Sequence, residues 1–279
     1  MSRPRAAILF VCLSLAFDVV GQTPTQKPYE PRVGQPGKDV VWVPTPDATV
    51  EKMLDLAKVT AADTVMDLGS GEGRIVIAAA KRGARAIGIE YNPDLVELSK
   101  RNAAAAGVSA RASFVQGDVF LADLQPATVV TLFLLPSLNV KLRPTILNMK
   151  PGTRVVSHAF TMDDWQPDQV DSSEGRTAYM WIVPAKVGGT WRVQVAGGPR
   201  YETAFIQQYQ NVGGSAKVDG KPVQFSNGKL RGETISFTIE DGTGKRDFSG
   251  QVVGDKIEGT AKGAGGEAKW TATRVAEAR

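Results

Sequence analysis

The stretch VMDLGSGEGRI at residues 65–75 constrains the chain more than any other. An apolar run closes on a carboxylate, Asp67, and passes through Gly69, Gly71 and Gly73 into residues with helical spacing, the pattern of a strand, a tight turn and a helix. The glycines strip the turn of side chains where a ligand approaches the backbone. Such a turn belongs at the carboxyl end of a strand in an open sheet with helices on its faces, so the rest of the chain must supply strands and helices in alternation.

It does so as far as residue 160. Thr45 and Pro46 offer a cap and a first-turn proline for a helix in which Val50, Met53, Leu54 and Ala57 recur at helical spacing, ending near Val59. A strand is expected at 64–68, a helix from Arg74 to near Arg82, and a strand, RAIGIE, ending at Glu90. Asn92 and Pro93 open a helix that stops at Gly107, and ASFVQGD gives a strand ending at Asp118. ATVVTLFLL, β-branched and largely apolar, reads as a buried parallel strand, SLNVKLRPTILNMK as a helix interrupted by Pro144, and TRVVSHAF as a further strand. The fold class is α/β, a doubly wound Rossmann-like parallel sheet.

After about Lys186 the pattern changes. Gly213-Gly214, Asp219-Gly220, Asn227-Gly228, Asp241-Gly242 and Gly254-Asp255 are turn signals, with alternating apolar residues such as Ile235, Phe237 and Ile239 between them. They predict a small all-β sandwich or barrel, with Trp191 and Trp270 packing near its ends. At the other end, Arg3 and Arg5 precede an apolar run from Ala6 to Phe17, shorter than the roughly 20 residues a membrane-spanning helix needs. This is expected to be a secretory signal peptide, cleaved before Gln22 and exporting the protein, with a membrane tether as the alternative. The expected organisation is therefore a leader at 1–21, a Pro- and Gly-rich extended arm at 22–44, an α/β domain at 45–186 and an all-β domain at 187–279.

The acids around the turn select among ligands. A dinucleotide would set a doubly charged pyrophosphate against Asp67 and Glu72, which would repel it, and the spacing is not G-x-G-x-x-G. Cationic groups suit these acids, such as the ammonium and sulfonium of S-adenosylmethionine. Glu90, about twenty residues beyond the turn, is placed to accept both hydroxyls of a ribose. Asp118 can accept from an adenine amino group, Asp67 with the backbone of Gly69, Ser70 and Gly71 can meet the amino-acid end, and Gly73 lets the next helix pack close to the strand. Acids at three successive strand ends are hard to explain by packing. Cys12, in the leader, is the single cysteine and His158 the single histidine, so thiolate sites, zinc sites and a Ser-His-Asp triad are not expected, nor is any metal. The formal charge of +4 is small and scattered, so no nucleic-acid partner is expected.

DLGSGEGRIVIAAAKRGARAIGIEYNPDLVELSKRNA resembles the cofactor-binding core of class I S-adenosylmethionine-dependent methyltransferases. Within that superfamily, VPTPDATVEKMLDLA, LFLLPSLNVKLRP and RVVSHAFTMDDWQPD are similar to bacterial relatives of the mitochondrial lysine methyltransferases that modify the c-ring of ATP synthase and the adenine nucleotide translocase. The likeness spans roughly residues 40–185; FLLPS lacks the Asn/Asp-Pro-Pro-aromatic clamp of many amino methyltransferases, and the β segment has no counterpart in the mitochondrial enzymes. The resemblance implies an enzyme that binds S-adenosylmethionine and takes a protein lysine as acceptor, on a protein at or near a membrane. Acceptor-side groups are sought at the carboxyl edge of the sheet: Thr45 and Pro46, Leu135 and Pro136, then Asp163, Asp164 and Trp165, although the last three read equally as loop and core residues. On the residues alone two other classes stay open. One is an exported, non-catalytic ligand-binding protein whose β domain holds an envelope partner; the other is a dinucleotide-dependent oxidoreductase. The partner of the β domain is not legible.

Overall fold

The computed structural model describes residues 29–275; the leader expected at 1–21 and the first part of the arm lie outside the described residues. From Pro31 onward the chain forms one compact unit. It opens with helix α1 (Asp47–Leu56), then β1 (Thr64–Leu68), α2 (Arg74–Lys81), β2 (Arg85–Glu90), α3 (Pro93–Ala105), β3 (Ala112–Gln116), β4 (Val129–Leu132), α4 (Pro136–Ile146) and β5 (Arg154–His158). Strands β6 (Gln169–Asp171) and β7 (Ala178–Ile182) complete a seven-stranded sheet of order β3-β2-β1-β4-β5-β7-β6. The order reverses between β1 and β4, and a crevice opens there at the carboxyl ends of the strands.

Alternation along each strand serves two cores. Val65, Val129 and Val156 face Val50, Met53 and Leu54 of α1, Ile75 and Val76 of α2 and Val96 of α3. Met66, Leu68, Val130, Leu132 and Val155 face Leu142 and Ile146 of α4 on the opposite side. Such double burial is why these strands read as continuous apolar runs.

The sheet departs from the expected all-parallel form at one edge. β7 pairs antiparallel with β5, Arg154 opposite Ile182 and His158 opposite Ala178, and β6 pairs antiparallel with β7. A parallel return needs a crossover of a dozen or more residues, usually a helix; between β5 and β7 the chain has only β6 and one short 3-10 turn, Ser173–Gly175. Nor does Pro144 interrupt α4, which runs through it. Pro144 is exposed in the last turn, where the carbonyl it fails to bond can turn to solvent.

Strands β8 (Gly189–Val195), β9 (Arg200–Gln208), β10 (Asn211–Val218), β11 (Lys221–Arg231), β12 (Thr234–Asp241), β13 (Gly244–Val253), β14 (Lys256–Gly263) and β15 (Gly266–Arg274) form a closed antiparallel barrel, each strand pairing with its sequence neighbours and β15 closing on β8. Its lumen is a core. Phe237 stacks on Phe248 at 4.6 Å, Trp270 stands edge-on to both, and Trp191 is fully buried beside Phe205. Two of the five expected turns are not turns. Gly213-Gly214 lies inside β10 and Asn227-Gly228 inside β11, at register shifts where Asn227 takes a positive φ of 56°. A Cβ on Gly228 would sit 2.0 Å from the Val212 carbonyl oxygen. Bulges and tight turns demand the same left-handed backbone, so one dipeptide chemistry serves both.

The barrel meets the sheet through the turn between β9 and β10. The Tyr209 ring lies 5.8 Å from that of Trp165, and its hydroxyl donates to Asp164 at 2.9 Å. Trp165 Nε1 donates to Gln210 Oε1 at 3.0 Å, Gln210 Nε2 donates to the Gln166 carbonyl at 2.7 Å, and Trp181 Nε1 donates to the Trp165 carbonyl at 2.7 Å. Trp165 and Gln210 are both buried. Gln210→Ala leaves the Trp165 N–H without its partner in a buried contact, at a cost of about 1–3 kcal/mol; the urea midpoint should fall with an unchanged m-value, and an unshifted midpoint would mean that this contact does not stabilise the fold.

Candidate functional site

Strand β1 ends at the sheet's reversal, and Asp67 sits one residue before that end. Its register partners are Gly88 on β2 and Thr131 on β4. Thr131 Oγ1 donates to Asp67 Oδ1 at 2.7 Å within the sheet. Burial pushes the Asp67 carboxyl up to about 7; the Thr131 hydrogen bond opposes the rise and the charge of Glu90 adds to it.

The turn that follows uses its own N–H groups. Gly69 and Ser70 both donate to the Ile89 carbonyl, at 2.9 and 3.0 Å, and Gly73 donates to the Ser70 carbonyl at 2.9 Å. Gly71 donates to Glu90 Oε2 at 2.9 Å. A phosphate cradle needs such groups aimed outward at the anion; four of them are committed within the protein here. Helix α3 fixes the turn from outside, Ser99 Oγ donating to the Gly71 carbonyl at 2.8 Å and Asn102 Nδ2 to the Glu72 carbonyl at 3.0 Å. Glu72, the acid within the turn, pairs with Arg74, which also reaches Asp47.

Asp67, Gly69, Ser70, Gly71, Glu90 and Asp118 line one pocket along the ends of β1, β2 and β3. Glu90 is anchored by two backbone donors, Gly71 at one oxygen and Asn92 at the other, both at 2.9 Å. Ser70 Oγ, buried over Gly88, has no hydrogen-bond partner among the described residues. Asp118 accepts from the Phe120 N–H at 2.9 Å and from Lys38 Nζ at 2.6 Å. The Lys38 contact, with the Phe120 bond, holds its carboxyl below the usual range, and the same contact raises the lysine.

Lys38 belongs to the arm, and the arm is a wall of the pocket. Residues 34–42 fold back on themselves, with Gly34 N–H to the Trp42 carbonyl and Trp42 N–H to the Gln35 carbonyl, both 2.9 Å. The Trp42 indole covers the turn so closely that a Cβ on Gly71, itself at φ 54°, would lie 2.9 Å from Nε1. The arm expected to be extended is, in its described part, a hairpin over the site.

Other expected positions divide. Thr45 lines the pocket; Pro46 is the residue that caps α1 and is not part of the lining. Gly73 is also outside it, packed where a Cβ would meet Phe114 at 2.7 Å. Leu135 lines an adjoining apolar groove with Val41, Val43, Phe133 and Phe160, and Pro136 opens α4. Trp165 and Asp164 do not reach the pocket; they carry the barrel contact described above, where Arg143 also pairs with Asp164 at 2.5 Å. Sequence reasoning missed Lys38, Trp42, Ser99 and Asn102, whose roles depend on contacts between distant segments. His158, the single histidine, ends β5 buried against Phe133 at 4.0 Å between ring centroids, its Nδ1 3.5 Å from Thr45 Oγ1. Burial, with Arg176 and Lys52 nearby, holds its imidazole down at about 4.

The ANTKMT methyltransferase domain matches residues 67–169. A protein-lysine N-methyltransferase of Saccharolobus islandicus (strain REY15A) is 43% identical over 151 residues, covering 52% of this chain and 94% of that protein. The adenine nucleotide translocase lysine N-methyltransferase of Mus musculus is 41% identical over 120 residues, 42% of this chain and 52% of that protein. Among solved structures, one described as an RNA methyltransferase from Salinibacter ruber in complex with S-adenosyl-L-homocysteine is similar, with 52% identity, coverage of 52% of this chain and 96% of its own, and a TM-score of 0.51.

Asp67 makes stability depend on pH. Folded, it keeps its proton up to about 7, whereas unfolded it releases the proton near 3.8, so its contribution to stability is lost as pH rises between those values. Asp67→Asn removes that loss. In urea titrations the variant should gain on the wild type at about pH 8 and show no comparable gain at about pH 4; an equal shift at both would mean that packing, not charge, had changed.

Proposed function

The chain belongs to the ANTKMT methyltransferase family of S-adenosylmethionine-dependent enzymes, and on that footing we propose that it methylates lysine side chains of a protein. The observation that carries the reading is one pocket in which Asp67, Glu90 and Asp118 stand at the ends of three adjacent strands. Those residues fit the cofactor. Glu90 spends one hydrogen bond per oxygen on the backbone, and a carboxylate has about four acceptor sites, which leaves capacity for both ribose hydroxyls. Asp67 and the turn carbonyls suit an ammonium, and the commitment of the turn's N–H groups disfavours a pyrophosphate. Ser70 Oγ is a buried polar atom in want of a partner.

Bound there, S-adenosylmethionine supplies a methyl group already activated by a positively charged sulfur. The chain's task is to align the acceptor and exclude water. With the acids of β1, β2 and β3 holding the cofactor, the approach left to an acceptor is from the β4 and β5 side, where Phe133, Leu135, Phe160, Val41 and Val43 form the apolar groove. Lysine in water is almost wholly charged at neutral pH, with a pKa near 10.4, and apolar walls favour its neutral, nucleophilic form. An exposed apolar mouth also suits a lysine flanked by apolar residues, as at a membrane surface.

Two measurements test this. Glu90→Ala should weaken S-adenosylhomocysteine binding by about tenfold or more in calorimetry, as expected for lost hydrogen bonds to a charged group; unchanged affinity would take the ribose away from Glu90. For the acceptor, the purified protein is incubated with methyl-labelled S-adenosylmethionine and separated membrane-protein and RNA fractions. Label on lysine, increasing from about pH 7 to about pH 9 as the amine deprotonates, is the expected result. Label on RNA, the acceptor class in the description of the Salinibacter protein, would replace the lysine reading.

A further inference from the structure

Of the residues that line the pocket, Thr45 stands just before α1, and its hydroxyl lies 3.5 Å from His158 Nδ1. His158 ends β5, and Phe133, which follows β4, packs against its ring at a tilt of 33° and lines both the pocket and the apolar groove. Phe160 lies beyond, 6.2 Å from Phe133 and nearly parallel to it. The Thr45 hydroxyl therefore stands beside aromatic walls at the ends of β4 and β5.

Resting on the methyltransferase reading above, we propose that Thr45 is the group that receives the acceptor amine, held as a hydrogen-bond acceptor by His158, which acts as a positioning residue. A neutral imidazole protonated at Nε2 offers a bare Nδ1. The Thr45 proton is then directed to Nδ1, and the hydroxyl oxygen turns its lone pairs to the pocket. An amine that donates an N–H to that oxygen keeps its own lone pair free for the methyl group. The opposite tautomer, with a proton on Nδ1, would donate to Thr45 and turn the hydroxyl proton toward the amine's lone pair, blocking it. Burial among Phe133 and the β5 end, with the cations of Lys52 and Arg176 nearby, keeps the ring neutral.

His158 is the single histidine of the chain, so its nitrogen resonances need no assignment by mutation. In nitrogen-labelled full-length protein with S-adenosylhomocysteine bound, nuclear magnetic resonance at neutral pH should show a proton on Nε2 and none on Nδ1. Butylamine should shift the Nδ1 signal in the wild type and not in Thr45→Val. In turnover, Thr45→Val should lower kcat/KM for the acceptor by about tenfold or more, with S-adenosylhomocysteine affinity changed by less than about twofold, and Thr45→Ser should recover most of the loss. A proton on Nδ1, an Nδ1 signal indifferent to butylamine, or a Thr45→Val variant that loses cofactor affinity in step with activity would overturn the inference. If the wild type places its label elsewhere than on lysine, the lysine reading fails, while the tautomer and the butylamine response still decide the role of Thr45.

Discussion

A carboxylate inside a sheet is expensive unless something answers its charge. Asp67 has one side-chain hydrogen bond, from Thr131, and the acid of Glu90 as its electrostatic neighbour. Much of the surrounding construction makes sense as a frame for this arrangement. Gly88 opposite Asp67 leaves room for Ser70, where a Cβ would come within 2.5 Å of the serine oxygen. The turn folds its N–H groups onto Ile89 and Glu90, and α3 clamps it through Ser99 and Asn102. The outcome is a pocket lined by several carboxyl groups, with Lys38 paired to Asp118 and Arg74 to Glu72, in which four N–H groups of the turn are committed within the protein.

Two further pieces border this core. The hairpin of the arm brings Lys38 to Asp118 and Trp42 to Gly71, so it shapes the same pocket that the strand ends create. The barrel attaches elsewhere, at Trp165 and Asp164, and aromatic side chains pack against one another in its lumen. It buttresses the region that follows β5, where Trp165 also holds Trp181 of β7. The region after β5 is thus held through Trp165 and Trp181, and the glycine turn through Ser99 and Asn102 of α3.

Features set by local chemistry were legible in the sequence: the glycine turn, the acids at strand ends, and the helices opened by Pro46 and by Asn92-Pro93. Asp67, Glu90 and Asp118 fall into one pocket because strand-end positions in a parallel sheet are fixed by the alternation itself. What stayed hidden depends on partners far along the chain. Trp165 looks the same in sequence whether it faces a substrate or Tyr209 of the barrel. Asn227-Gly228 signals a left-handed backbone without saying whether the strand turns or bulges there. Gly73, read as the residue that lets the next helix pack close to the strand, lies against Phe114, while the pairing of Glu72 with Arg74 was not legible. The antiparallel edge followed from the missing crossover helix, a sign carried by what residues 159–177 lack.

A cationic ligand arriving beside Asp67 is expected to draw off the proton that burial keeps on this carboxyl. Calorimetric titration of S-adenosylhomocysteine in two buffers of different ionisation enthalpy, at about pH 6, counts the protons exchanged on binding. Below its raised pKa, Asp67 should give up its proton when the ligand's ammonium arrives, so the wild type should release close to one proton and Asp67→Asn none. Binding of the wild type with no proton release, or with release that survives Asp67→Asn, would contradict the account.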